Sequence, residues 1–301
     1  MRLTKIPQNK FELNYNNVIK WSNFKHRIYN DCKRKFLYKY VGSLVDPYDK
    51  EKAEKLKKLK TLKNWQGEIV HRYIDISINL DSIELSLEKF KNEFYSTLAN
   101  PSEKITEYYY GIQITNSQIE EIYNTSVISL KNFWFYYQNN IRKLREKIIF
   151  RDSYDIQTFR IREIDILYKP DLVVKDEDEL TIFDWKTQEL EADLNQFKLY
   201  SLAYLTQFES QKIKVKSKIV TLYPTLKEDE IIFSKQDIDE YIDFIYDSYL
   251  DIKTFMDQMR IFTQNEFENL FIEIKKRFEK TQNRNICSRC EFRELCFGKE
   301  K

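Results

Sequence analysis

Two short segments carry the residue types that chemistry needs. Lys169-Pro170-Asp171-Leu172-Val173-Val174 is followed, across Lys175-Asp176-Glu177-Asp178-Glu179, by Ile182-Phe183-Asp184-Trp185-Lys186-Thr187. Side chains on a strand alternate faces, so Asp184 and Lys186 point the same way while Trp185 points opposite. The acidic stretch has the composition of a hairpin connection, which brings Asp171 beside them. Two carboxylates in one cleft offer oxygen ligands to Mg²⁺ or Mn²⁺. Such an ion lowers the pKa of a water and offsets charge on a phosphoryl group under attack, and a neighbouring ammonium adds to that stabilisation. An Asp-x-Lys triplet arises easily in a chain whose residues are 33% charged, where it is an ordinary strand-end salt bridge. Pro-Asp one hairpin ahead of it, with apolar strands leading into both acids, is much more specific.

A second constellation is made of sulfur. Cys32 stands near one end of the chain, and Cys287-x2-Cys290-x5-Cys296 near the other. Three thiols at that spacing can converge on one metal centre, and zinc or an iron-sulfur cluster would both accept the four-thiolate set. Scarcity excludes other chemistries. With only His26 and His71 there is no multi-histidine centre and no HExxH. The four glycines, at 42, 67, 111 and 298, form neither a GxxxxGK phosphate loop nor a GxGxxG dinucleotide fingerprint. Any ATP-driven motor would be a separate partner.

The elements that must position these residues can be read from periodicity. Apolar residues recur every three or four positions through Phe11–Tyr40, Lys50–Ile78, Ile83–Leu98 and Ile119–Ile148, predicting helices. From about Tyr154 the texture becomes β-rich, with Leu172–Val174 and Leu180–Phe183 flanking the acidic turn. Asp193–Phe208 returns to helical spacing, with Leu194, Phe197, Leu199 and Leu202 as packing residues. Ile219–Tyr223 and Glu230–Phe233 read as short strands, and Ile238–Met259 as a helix. No repeat, low-complexity linker or Gly/Ser hinge interrupts the chain. The expected architecture is an α/β fold in one compact unit: a helical part over 1–150 carrying Cys32 and His71, a core over 151–260, and a cysteine segment over 261–301.

Taken together, these motifs resemble the PD-(D/E)XK nucleases, in particular the RecB/AddB-like and CRISPR-adaptation-type exonucleases. That family places an Asp after a short strand, Asp or Glu-x-Lys on the next strand, and Gln-x-x-x-Tyr on the following helix. Here the helix offers Gln196 and Tyr200, which share one face at i and i+4. The resemblance implies a restriction-endonuclease-like core, a mixed sheet flanked by helices. It implies that Asp171, Asp184, Lys186, Gln196 and Tyr200 form the active site. It also implies that His71, in Gly67-Glu68-Ile69-Val70-His71, joins Asp171 and Asp184 as a ligand of Mg²⁺ or Mn²⁺. Relatives carry a small residue where this chain has Lys169, a departure that bears on local strand geometry. In the RecB-like branch an early cysteine and a C-terminal Cys-x2-Cys-x5-Cys hold a [4Fe-4S] cluster, which implies that role for Cys32, Cys287, Cys290 and Cys296. Structural Zn²⁺ is the alternative. Such a centre would staple the helical N-terminal part to the C-terminal tail.

The function so implied is hydrolysis of DNA phosphodiester bonds at single-stranded or unwound ends, in repair, recombination or phage defence, alongside a helicase or defence-system partner. A nuclease-fold protein that binds nucleic acid without cutting is one alternative, and a restriction-type endonuclease another. Charge distribution agrees with a nucleic-acid partner. Lys20–Lys63 holds fourteen Lys/Arg against five Asp/Glu, a local +9 that leaves −7 for the remainder of a chain whose net charge is +2. Taken singly, the lysines of Lys50–Lys63 read equally as the solvated face of a helix packed through Leu56, Leu59 and Leu62. Trp21, Trp65, Trp134 and Trp185 could stack on unpaired bases, although core packing is the commoner use. No apolar run reaches the roughly 18 to 20 residues that span a bilayer, and no secretory signal is visible, so a cytoplasmic protein with reduced thiols and no membrane partner is expected.

Overall fold

The computed structural model describes residues 18–41, 50–152, 155–189, 193–209, 212–264 and 276–298. These fall into two compact units. One comprises Lys60–Phe159 with Tyr168–Tyr241, and the other Met1–Leu59 with Arg160–Leu167 and Ile242–Lys301.

The first unit is built on a five-stranded sheet. Its strands are β1 (Ile148–Arg151), β4 (Leu172–Asp176), β5 (Glu179–Lys186), β6 (Lys214–Thr221) and β7 (Lys227–Ile231), in the spatial order β1-β4-β5-β6-β7; β2 (Gln157–Ile161) and β3 (Ile164–Tyr168) form a separate two-stranded sheet. Only β5 and β6 run parallel; the other pairs are antiparallel. The predicted hairpin is the β4–β5 pair. Its register runs from Leu172 opposite Phe183 to Asp176 opposite Glu179, with a two-residue turn in which Glu177 takes a left-handed backbone (φ 52°).

Strand alternation then sorts the two faces. Leu172, Val174, Phe183, Trp185 and Val220 enter a cluster with α4 (Leu62–Leu80), α5 (Ile83–Ala99) and α7 (Asn116–Tyr136), through Ile69, Tyr73, Phe90, Phe94, Leu130 and Phe133 among others. The opposite face carries Val173, Leu180, Ile182 and Ile219, all buried, and it meets α8 (Leu194–Gln207). Helix α8 is the crossover that a parallel β5–β6 pair requires. Asp193 caps it, accepting from the Asn195 N–H. Phe197, Leu199 and Leu202 are buried as predicted, but Leu194, at the first helical position before the packed face, is 49% exposed.

Several boundaries differ from the sequence reading. Lys50–Ile78 is two helices, α3 (Lys50–Lys57) and α4, because Lys60 leaves the helical path to pair with Ile105, just ahead of the short α6 (Thr106–Tyr109), and Thr61 then caps α4. The predicted helix ending at Ile148 stops earlier, and residues 148–151 join the sheet as β1. Strands β6 and β7 each begin and end before the predicted positions. Residues 11–17 of the predicted first helix and Tyr154 lie outside the described residues.

In the second unit α1 (Asn23–Asp31), capped by Ser22, leads through Cys32 into α2 (Lys33–Phe36). Val18, Ile28, Tyr29, Phe36 and Leu37 pack with Ile252 and Met256 of α9 (Lys235–Gln264) and with Phe278. The short helices α10 (Arg284–Ser288) and α11 (Arg293–Phe297) carry the C-terminal cysteines. No described helix is long and apolar enough to cross a membrane. Trp21, Trp65 and Trp185 are core residues and Trp134 is partly buried, so packing accounts for most of the tryptophan.

Candidate active site and cysteine recess

Asp171, Asp184, Lys186, Gln196, Tyr200 and His71 lie in one unit, and direct contacts join them. Asp171 sits where the chain enters β4. Its Oδ2 accepts the backbone N–H of Trp185 at 2.7 Å, and its Oδ1 lies 3.2 Å from His71 Nδ1 on α4. Asp184 projects from β5 on the face opposite Trp185, with 2% of its side chain exposed. Its Oδ1 accepts from Gln196 Nε2 at 3.0 Å. Its Oδ2 is buried and in ion-pair range of Lys186 Nζ at 2.6 Å, but the angles there are not those of a hydrogen bond. The Lys186 ammonium also stands over the Phe197 ring, 5.7 Å from its centre.

Gln196 and Tyr200, one helical turn apart on α8, bridge the two halves of the motif. Gln196 Nε2 donates both to Asp184 and to the Tyr200 hydroxyl (2.8 Å), and that hydroxyl donates to the Lys169 carbonyl at 2.8 Å. One helix turn therefore holds the β5 acid and the backbone two residues ahead of Asp171 in a single network. A fully engaged polar chain in a low-dielectric setting fixes geometry better than isolated pairs.

The two acids are not equivalent electrostatically. Burial works to raise Asp171, but the His71 imidazolium beside it, the Trp185 N–H and Lys186 outweigh burial and hold its pKa below the usual carboxylate range. Asp184 is pushed up to about 6, by burial first and the neighbouring Asp171 charge second, against the pull of Lys186. For His71, burial works to lower the pKa, but Asp171, with smaller contributions from Asp184 and Asp152, raises it to about 9. The Tyr200 hydroxyl is driven well up by burial and the nearby carboxylates, so it remains a donor.

Asp152 is a neighbour that the sequence motifs do not reveal. It follows β1 directly, and the pairing of Arg151 with Leu172 carries it alongside the Asp171 end of β4. Its carboxylate lies 3.0 Å from Lys169 Nζ. Only the strand register could have located it, because β1 falls between the helix predicted to end at Ile148 and the β-rich texture expected from about Tyr154. Behind His71 on α4, the buried Asp75 accepts from Asn79 at 3.0 Å and faces Arg151 at 3.8 Å, anchoring β1 to the helix that presents the histidine.

Donor chemistry at this site suits a hard divalent cation: two buried carboxylates, one with an oxygen that makes no hydrogen bond, and an adjacent imidazole. As arranged, Lys186 and the His71–Asp171 contact occupy those donors. Among the described residues no group of three or more His, Cys, Asp or Glu stands in a geometry that already holds a metal ion.

The four cysteines line one recess in the other unit, together with Lys35, Tyr38, Lys280, Ile286, Phe292 and Phe297. None is in a disulfide. Cys32 caps α2, its Sγ accepting from the Lys35 N–H at 3.4 Å. Burial, reinforced by Glu291, pushes the Cys290 thiol up to about 12, and burial likewise pushes Cys296 to about 11. Such thiols are poor nucleophiles, which argues against a reactive-cysteine role. They fit ligands that release their protons only to a metal centre.

The sequence pattern of the PD-(D/E)XK nuclease superfamily matches residues 20–297. The chain belongs to that superfamily. The five-stranded mixed sheet with flanking helices is accordingly its restriction-endonuclease-like fold. Among solved structures, the chain is similar to an exonuclease candidate from Eubacterium rectale, with 12% identity, a TM-score of 0.45, and coverage of 84% of this chain and 87% of that one. A protein named SSO0001 is more distant, at 13% identity and a TM-score of 0.25, covering 65% of this chain and 80% of the other. No curated protein matches the chain.

Proposed function

We propose that this PD-(D/E)XK nuclease is a Mg²⁺- or Mn²⁺-dependent deoxyribonuclease of the RecB/AddB-like branch, acting on single-stranded or unwound DNA ends, with a [4Fe-4S] cluster held by Cys32, Cys287, Cys290 and Cys296. The observation that carries the reading is the continuous network from Asp184 through Gln196 and Tyr200 to the Lys169 carbonyl, with Asp171 and Lys186 on either side. A structural salt bridge at a strand end needs none of that supporting shell.

On this reading Asp171 and Asp184, with His71, hold the divalent cation. When bound, that ion supplies an activated water and neutralises charge on the phosphate. Lys186 stabilises the extra negative charge that builds on the phosphate oxygens during attack. Gln196 fixes the rotamer of Asp184 by occupying Oδ1, and Tyr200 fixes the approach of the chain to Asp171 by holding the Lys169 carbonyl. The thiol recess takes the cluster as a structural tie rather than as part of hydrolysis, and zinc is the other metal its donors accept. A separate helicase or defence-system partner and a cytoplasmic setting complete the proposal.

The test is single-turnover cleavage of end-labelled single- and double-stranded DNA with Mg²⁺ or Mn²⁺, alongside binding in Ca²⁺. Metal-dependent release of nucleotides from single-stranded ends is the expected result. Binding without cleavage of either substrate, with metals verified present, would replace the enzyme with a nucleic-acid-binding protein on the same fold.

A further inference from the structure

We infer that Lys169 is a substrate-positioning residue that grips a backbone phosphate next to the scissile one, and that in the free protein Asp152 occupies its ammonium until DNA displaces it. This rests on the nuclease reading above and extends it to a residue outside the motif.

The main chain at Lys169 belongs to the site. Its carbonyl accepts the Tyr200 hydroxyl at 2.8 Å, Pro170 restricts the next backbone step, and Asp171 is fixed by the Trp185 N–H and by His71. The Cα of Lys169 is therefore held with the acids, while its side chain is not buried with them: 37% is exposed, against 20% for Lys186. The ammonium ends 3.0 Å from the Asp152 carboxylate, itself 31% exposed. Asp152 lies beside the Asp171 end of β4, where the pairing of Arg151 with Leu172 places it.

Charge favours an exchange. Three carboxylates, Asp152, Asp171 and Asp184, stand at or beside the site and repel a phosphodiester. Lys186 is committed to the most deeply buried of them. An ion pair as exposed as Lys169–Asp152 contributes little to folding stability. A phosphate oxygen can therefore take the place of Asp152 with little penalty, and a lysine on its flexible stem can follow the strand as a mobile point charge.

Binding of labelled single- and double-stranded DNA in Ca²⁺ should be measured from about 50 to 200 mM salt, a range over which phosphate contacts weaken steeply. Lys169→Ala and Lys169→Gln should each bind several-fold more weakly, with the slope of log affinity against log salt smaller by about one ion. Lys169→Arg should keep the slope. Asp152→Asn should bind several-fold more tightly, and that gain should vanish when Lys169→Ala is added. The inference is overturned if Lys169→Ala and Lys169→Gln keep wild-type affinity and slope, or if Asp152→Asn tightens binding equally without Lys169. Lower thermal stability in both single variants with unchanged binding would make the pair a structural tie. A wild type that neither binds nor cuts DNA sinks the nuclease reading and this one together. A wild type that cuts normally while Lys169→Ala shows the wild-type slope sinks this one alone.

Discussion

Lys186 and Asp184 stand two residues apart on one strand face, and variants can separate what each does. On the proposed reading Lys186 holds no metal and acts on the charge that develops during attack. Lys186→Ala should lower single-turnover cleavage about a hundredfold, the scale lost when a preorganised charge-stabilising donor is removed, with DNA affinity in Ca²⁺ nearly unchanged. A loss confined to affinity would reassign Lys186 to ground-state binding. Asp184 makes a different prediction, readable in stability. With a folded pKa of about 6, above its unfolded value of 3.8, the folded state holds its proton more tightly than the unfolded chain does. Stability therefore falls as pH rises from 3.8 through about 6, and the full penalty persists above that window. Asp184→Asn carries no such charge. In EDTA it should raise Tm relative to wild type at pH 7.5 and lose most of that advantage at pH 4.5, and with Mg²⁺ or Mn²⁺ supplied it should not cleave DNA. Equal Tm differences at both values would show that burial of this acid is not a source of strain. At this scale the proximity of the candidate residues was legible where spacing encodes it: Asp184 beside Lys186 through strand parity, Asp171 through one hairpin, and Gln196 beside Tyr200 through one helix turn, a pair that only the family resemblance singled out. Asp152 was not legible, because only the β1–β4 register brings it near.

Elements were legible where local pattern and tertiary demand agree. The β4–β5 hairpin has apolar strands on both sides of a charged turn, and α8 has an acidic cap and a buried stripe, so each could be placed from its own residues. Strand β7, Lys-Glu-Asp-Glu-Ile, has no apolar alternation at all. It is a sheet edge supported by side-chain pairing, with Glu228 2.6 Å from Lys218 on β6 and Glu230 near both Lys216 and Lys218. Charges on an edge strand also discourage pairing with other chains. The division of α3 from α4 was equally hidden, since the leucine spacing runs straight through it while the backbone of Lys60 pairs with Ile105. Within α4, Gly67 sits one turn before His71, and a Cβ placed there meets nothing within 4 Å. A helix-interior glycine in open space is less stable than alanine by about 0.5 to 1 kcal/mol. Gly67→Ala should therefore raise stability by that amount in denaturant titrations. A gain in stability accompanied by a large loss of DNA affinity would show that substrate approaches this backbone closely and that the glycine is kept for access.

For the whole molecule, the question is what keeps the two ends of the chain together in the cysteine-bearing unit. The cysteine spacing points to a metal tie, and the structure adds an ionic one made of side chains that no motif singles out. Glu291 and Glu294, between Cys290 and Cys296, are 6% and 4% exposed. Glu291 pairs with Lys35 at 2.8 Å and Lys39 at 3.4 Å, and Glu294 with Lys52 at 2.7 Å. Arg34 Nε donates to the Phe278 carbonyl at 2.6 Å, and the Tyr38 hydroxyl to that of Leu295 at 3.1 Å. Glu291 and Glu294 are buried while Lys35, Lys39 and Lys52 keep 22%, 20% and 40% of their side chains exposed, so solvent screening brings the cost of losing a partner below the ~3 to 5 kcal/mol of a fully buried pair. The metal tie and the ionic tie should therefore fail differently. Protein purified without oxygen should be brown with a broad absorbance near about 400 nm from thiolate-ligated iron, and a colourless protein with one equivalent of zinc would reassign the metal. Cys32→Ser and Cys290→Ser should both lose the iron and its colour, yet leave residues 276–298 largely protected in limited proteolysis, because the ion pairs remain. Glu291→Ala should expose that segment to protease even in protein that still binds iron. Rapid cleavage of the segment in the cysteine variants, at the rate seen with Glu291→Ala, would show that the ion pairs form only around a metal already in place.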